Sequence, residues 1–146
     1  MSMRRCGLLP IILSVALAGF AAKQQSLQEM ITRANSAPLK EQPSLYIDIA
    51  ERQLKSADQL YTQGKVEEAR AAVADVVTYS QKAHDAAIQA GKKLKPTEMA
   101  SRKMSHRLQD IKRTLNFEDQ APAQAAAERL ESLAQDLLNH MFGKEK

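Results

Sequence analysis

Apolar side chains recur every three or four positions along most of the chain, the spacing that places them on one face of an α-helix. The first long stripe begins after Ser44, a residue that can cap a helix N-terminus, and it ends at Gly64. The second stripe follows at once and ends before Gly91. Because only a short turn separates the stripes, they predict an antiparallel helical hairpin over residues 44–90.

A second pair of stripes predicts another hairpin over residues 97–142. We expect residues 92–96 to be the connector, since a proline is excluded from helix interiors. The inward face of the first helix begins at Met99 or Ala100. Asp119 is the expected N-cap of the second helix.

Residues 22–43 precede the hairpins and predict a short helix followed by a linker. Apolar residues lie at helical spacing between Lys23 and Asn35, and Pro38 and Pro43 bracket the linker. One amphipathic hairpin cannot bury its own apolar face, but two packed hairpins can. The predicted fold is therefore all-α, an antiparallel helical bundle of two hairpins (four main helices) plus a short N-terminal helix. The alternative is an open array of stacked hairpins, as in helical repeat proteins.

The first 21 residues are typical of a secretory signal peptide. Arg4 and Arg5 precede an uncharged apolar run, and small residues follow it. We expect cleavage after Ala21 and a location in the periplasm or outside the cell. The alternative is an uncleaved anchor, although the apolar stretch of about 15 residues falls short of the roughly 20 that span a bilayer. Cleavage would also remove Cys6, the only cysteine.

Composition narrows the class of protein further. Hydrophobic residues make up 44% of the chain, enough to build a core, which excludes a disordered chain. Aromatic residues make up 4%, with no Trp and only five Gly, which argues against an all-β domain. The formal net charge of +4 falls to +2 without the two signal-peptide arginines. Because no aromatic residues interleave with the basic ones, we expect no nucleic-acid binding.

Residues 50–83 carry a resemblance to one hairpin of the tetratricopeptide family. The matching residues are Ala57, Tyr61, Gly64, Glu68 and Ala69. The sequence departs from the family at Gln53, where a bulky aromatic is usual, and at Gln81, where the family has a proline. The resemblance covers a single, partial repeat, and it implies a role in binding peptides or other proteins.

Basic residues concentrate just after the first hairpin. We predict a basic binding surface formed by Lys92, Lys93, Lys95, Arg102, Lys103, Arg107, Lys112 and Arg113. Residues 117–138 are mostly acidic where charged, so neighbouring helices of opposite charge are expected to pair across their edges. The expected partner of the basic surface is another envelope protein or a peptide, with peripheral contact to an anionic membrane as a further candidate.

Metal binding is the alternative function. Two His/Asp pairs with a spacing of four residues each share a helix face: His106 with Asp110, and Asp136 with His140. Met99, Met104 and His106 form a second set, which would suit copper. No Glu-x-x-His pattern of di-iron bundles occurs, and we expect the histidines, including His84, to be solvent-exposed. The prediction is therefore no metal and no cofactor.

Catalytic motifs are absent from the sequence. It contains no Gly-rich phosphate loop, no G-x-S-x-G and no H-E-x-x-H. The sequence thus predicts an exported, non-catalytic helical protein that acts as a protein-binding or scaffolding module in the cell envelope.

Overall fold

A computed structural model describes residues 18–143, with side chains from Ser26 onward, and the regular structure of these residues is entirely helical. The helices are α1 (Ala18–Ser36), α2 (Gln42–Thr62), α3 (Val66–Ala90), α4 (Leu94–Arg113) and α5 (Gln120–Phe142). A short 3-10 helix, Phe117–Asp119, precedes α5. Most of the predicted signal peptide, residues 1–17, lies outside the described part of the chain. Within that part, no helix is both long enough and apolar enough to cross a membrane.

The predicted bundle of two antiparallel hairpins is confirmed. The helices α2 and α3 form one hairpin, α4 and α5 form the other, and the hairpins pack with α3 against α5 and α2 against α4. Arg70, near the start of α3, donates a hydrogen bond to Asp119, at the start of α5. Near the ends of the same helices, His84 contacts Asp136. The hairpins are therefore stacked so that α3 and α5 run parallel.

The N-terminal helix α1 lies antiparallel to α2. Arg52 donates a hydrogen bond to Ser26, and the Tyr46 hydroxyl donates to Asn35. Ala34 is fully buried in the common core, so α1 is docked on the bundle. The helix begins at Ala18, five residues before the predicted residue 23.

Small side chains dominate the contacts between helices. The buried alanines of α3 and α5 are Ala69, Ala72, Ala83, Ala86, Ala87, Ala123, Ala126, Ala127 and Ala134. In α4, Ser101 and Ser105 are fully buried, and the Ser105 hydroxyl donates to the Ala127 carbonyl at 2.7 Å. A serine reaches the backbone of a neighbouring helix only where the two axes lie close together. Larger residues, including Met104 and Leu130, fill the centre of the core.

Two helix starts differ from the prediction. The helix α2 begins at Gln42, so the exposed Ser44 lies inside the first turn and is not the N-cap. The helix α4 begins at Leu94, which places Pro96 in its first turn instead of in the connector. Both changes have the same cause: the first N–H groups of a helix lack partners within it, so a proline there costs no hydrogen bond.

The turns follow the glycine pattern. Gly64 and Gly91 adopt left-handed backbone angles, with φ of +77° and +64°, as expected where a helix stops abruptly. Lys93, the residue before α4, is also left-handed. Asp119 occupies the N-cap position of α5 as predicted, but its carboxylate makes no capping bond and pairs with Arg70 instead.

The buried face of α4 also differs in part from the predicted inward stripe. Met99 is 58% exposed, so of the two predicted starts of the inward stripe only Ala100, which is partly buried, faces the core. Thr97 and Glu98 are buried ahead of it. The stripe was predicted from apolar residues alone, so these two polar residues were not included. Burial of Thr97 and Glu98 is possible because each has a hydrogen-bond partner.

His84 joins the two hairpins. It is 8% exposed, its Nε2 lies 2.6 Å from an Asp136 oxygen, and its Nδ1 lies 2.8 Å from an Asp85 oxygen. Both ring nitrogens of this buried side chain thus lie within hydrogen-bond distance of a carboxylate oxygen, one of them on the other hairpin. The expectation that every histidine is solvent-exposed is therefore wrong for His84, whose partner in α5 lies too far away in sequence to be recognised.

Replacing His84 by alanine is expected to lower the free energy of unfolding by about 1–2 kcal/mol, because the polar contacts with Asp85 and Asp136 and the buried ring contacts are lost. Chemical denaturation monitored by circular dichroism measures the change. The matched control is His106→Ala, which removes an exposed histidine and is expected to cost less than about 0.5 kcal/mol. Equal effects of the two substitutions would show that His84 does not stabilise the hairpin interface.

Candidate functional site

A cavity of about 480 Å³ opens between the parallel helices α2 and α4. It is lined by Glu51, Leu54, Lys103, Met104, His106, Arg107 and Asp110. Leu54 and Met104 are buried and form an apolar floor, while the other lining residues are exposed and form a charged rim. We call this feature the α2/α4 cleft.

The rim carries both signs of charge, and part of that charge is unpaired. Arg107 donates to Asp58 of α2, and Asp110 accepts a hydrogen bond from Arg113 at 3.0 Å. Among the described residues, neither Glu51, Lys103 nor His106 has a hydrogen-bond or ion-pair partner. An apolar floor with unpaired polar groups around it is the usual composition of a binding site.

The predicted basic residues are divided among several surfaces. Only Lys103 and Arg107 line the α2/α4 cleft. On the other side of α4, Arg102 pairs with Glu131 and Lys112 donates to Gln124, both in α5. The expected pairing of α4 with the acidic helix therefore occurs, although it uses only part of the basic set.

The remaining members of the basic set lie near the two ends of α4. At the C-terminal end, the exposed Arg113 pairs with Asp110 within the helix. At the N-terminal end, Lys95 lies 3.4 Å from Glu98. The exposed Lys92 and Lys93 precede α4 and form no ion pair with any residue that the structure describes. The eight residues thus do not form one continuous surface.

Glu98 is a buried carboxylate held by two cations. It is 4% exposed, and Arg102 donates to it at 2.8 Å. Burial acts to raise the pKa of Glu98, but the hydrogen bonds from Arg102 and Lys95 outweigh burial and lower the pKa below its ordinary value of 4.5. The same Glu98 hydrogen bond raises the pKa of Arg102. Because Arg102 also pairs with Glu131, this cluster joins α4 to α5 and stabilises the second hairpin.

The two candidate sets of metal ligands, named as the alternative, do not assemble. His106 and Asp110 line the α2/α4 cleft, whereas Asp136 faces His84 of α3. Met104 is buried while Met99 points to solvent. Within the described residues, no three His, Cys, Asp or Glu side chains lie close enough together to hold a metal ion.

Several residues of the site were not identified from the sequence. Glu51 lies on the exposed side of α2, and its only signal was a polar position beside an apolar stripe. Asp58 pairs with Arg107 across 49 residues of sequence, so no local spacing could connect them. Leu54 lies within the first apolar stripe, which predicts the inward face of the helix, and the structure adds that it also borders the cavity.

Replacing Glu98 by glutamine tests the buried cluster through its pH dependence. A carboxyl group whose folded pKa is lowered stabilises the fold above its unfolded pKa, and this stabilisation disappears as pH falls through the folded value. We expect Glu98→Gln to lower the free energy of unfolding by about 1–3 kcal/mol at pH 7. The difference from the parent protein should shrink progressively below about pH 4.5.

Urea unfolding at a series of pH values measures this difference. The matched control is Glu128→Gln in α5, an exposed glutamate that accepts a hydrogen bond from Gln124 and is expected to cost less than about 0.5 kcal/mol. A Glu98→Gln effect that is as large at pH 3 as at pH 7 would contradict the role of the ionised carboxylate.

Comparisons with known proteins return nothing that bears on this site. No known protein family, no curated protein and no solved structure matches the chain.

Proposed function

We propose that the protein is an exported, non-catalytic module that binds a segment of another envelope protein in the α2/α4 cleft. The observation that carries the proposal is the cleft itself, with its apolar floor and its unpaired rim groups of both signs. Leu54 and Met104 offer apolar contact, while Glu51, Lys103 and His106 offer polar contacts. A peptide segment with one apolar side chain between charged residues would match this arrangement.

The size of the cleft is consistent with such a ligand. A volume of about 480 Å³ lies within the range of binding pockets, roughly 300–1,000 Å³. It accommodates a few side chains and not a whole folded domain. The cleft therefore fits a short segment that projects from a partner.

The arrangement of the hairpins gives secondary support. The stretch that resembles a tetratricopeptide hairpin, residues 50–83, comprises the second part of α2 and most of α3. In the structure Gly64 forms the left-handed turn, and Ala57 and Ala69 are fully buried. The first helices of the two stacked hairpins, α2 and α4, lie parallel and form the walls of the cleft. Stacked hairpins of this kind build extended binding surfaces in helical repeat proteins.

Site-specific crosslinking tests the proposal. A photo-crosslinking amino acid at position 106, on the rim, is expected to capture one recurrent protein from the cell envelope of the source organism. The control places the same amino acid at position 71, an exposed site on α3. The same products from both positions would contradict binding in the cleft.

Charge reversal on the rim gives the second arm of the test. Lys103→Glu is expected to lower the yield of the crosslinked product about tenfold, because a rim contact with the partner becomes repulsive. Lys65→Glu, which reverses an exposed lysine in the turn between α2 and α3, should leave it unchanged. A crosslink that survives Lys103→Glu at full strength would exclude the rim as the recognition element.

A further inference from the structure

The topology gathers four chain segments at each end of the stacked hairpins. The start of α2 packs beside the middle of α3, where Tyr46 stacks on Tyr79 with ring centroids 6.2 Å apart, so the start of α2 and the end of α3 lie toward the same end of the bundle. The start of α4 and the end of α5 lie at the same end, because α5 runs parallel to α3. We call residues 37–42, 88–99 and 137–143 the lysine end. Residues 60–68 and 113–123 form the opposite end, which we call the turn end.

The two ends carry opposite charge. The lysine end contains four lysines and two glutamates, a formal charge of +2. The turn end contains two basic and four acidic residues, a formal charge of −2. At the lysine end the buried Glu98 pairs with Lys95, and the remaining three lysines and one glutamate keep the sum at +2. Lys40, Lys92 and Lys93 are exposed there and have no ion-pair partner within the described residues.

Large apolar side chains are exposed at the same end. Phe142 is 70% exposed, Met99 is 58% exposed and Leu39 is 37% exposed. They come from three separate segments: the end of α5, the start of α4 and the loop before α2. Among residues 26–143, whose side chains the structure describes, only one other large hydrophobic side chain is exposed, Phe117, and it lies at the turn end.

We propose that the lysine end docks on an anionic lipid surface. Unpaired lysines at the same end as exposed apolar side chains match the interface of a charged bilayer, where apolar groups enter the headgroup region and lysines contact the phosphates. A lipid surface is favoured over a protein partner because the three apolar side chains are spread over separate segments. A fluid surface can accommodate that spacing without a complementary shape. The negative turn end would point away from the membrane.

This inference is independent of the proposed function. The α2/α4 cleft opens along the side of the bundle, so docking through one end leaves it accessible. Loss of membrane docking would therefore not abolish crosslinking at position 106 in solution. Conversely, a failed crosslinking experiment would leave membrane docking unaffected.

Sedimentation with lipid vesicles tests the electrostatic part. We expect the full chain to bind vesicles that contain phosphatidylglycerol more strongly than vesicles of phosphatidylcholine alone. Binding should fall sharply between about 0.05 M and about 0.5 M NaCl, because salt screens exposed charges. Equal binding to both kinds of vesicle, or no binding at low salt, would overturn the proposal.

Charge removal locates the surface. Neutralising the pair Lys92→Gln and Lys93→Asn should weaken binding about tenfold to thirtyfold. Asparagine is chosen at position 93 because it tolerates the left-handed backbone there. The matched control removes two positive charges from the turn end, Lys65→Gln and Arg113→Gln, and should leave binding unchanged. A larger loss in the control than in the lysine-end variant would overturn the proposal.

Single tryptophans report which end meets the lipid. The chain contains no Trp, so Phe142→Trp creates one reporter at the lysine end and Phe117→Trp creates its control at the turn end. When vesicles are added, we expect the tryptophan fluorescence of Phe142→Trp, but not that of Phe117→Trp, to shift to shorter wavelength. We also expect brominated lipids to quench the fluorescence of Phe142→Trp only. Attachment through the segment before α1 would instead bring the turn end to the membrane, since α1 runs antiparallel to α2. Quenching of the Phe117→Trp reporter would thus overturn the proposal.

Discussion

The close approach of helices over alanine and serine is the constraint on which the rest of the structure depends. Side chains of this size remove little apolar surface individually, so stability has to come from many contacts at short range. The hydrogen bond from the Ser105 hydroxyl to the Ala127 carbonyl shows that α4 and α5 lie close together. Where α2 faces α4, the larger Leu54 and Met104 occupy the contact, and there a cavity opens.

Polar contacts then fix how one hairpin lies on the other, which the packing of small side chains leaves undetermined. A surface of alanines offers few distinctive shapes, so sliding one hairpin along the other would change little apolar contact. Arg70 with Asp119 at one end of α3 and α5, and His84 with Asp136 at the other, set the register between these helices. The Glu98–Arg102–Glu131 cluster does the same between α4 and α5. Polar pairs thus contribute specificity where packing contributes cohesion.

The sequence predicted local features well and long-range ones poorly. The all-α class, the two hairpins and the left-handed turns at Gly64 and Gly91 all follow from apolar spacing and glycine placement. Helix starts at prolines were wrong by two or three residues, because the first turn accepts proline. The basic residues of α4 were identified, but their division among α5, the cleft and the end of the bundle depends on packing. His84 and Asp136 stand 52 residues apart, and no spacing rule connects such a pair.

The stacking of two hairpins also has a consequence for folding kinetics. The most extensive packing occurs between helices adjacent in sequence, α2 with α3 and α4 with α5. Such local packing gives a low contact order, which is associated with folding in microseconds to milliseconds. Each hairpin can form with only a short loop to close, whereas the contacts of α3 with α5 require the hairpins to dock. Docking is therefore a separate step, in which the linked hairpins lose their freedom to move relative to one another.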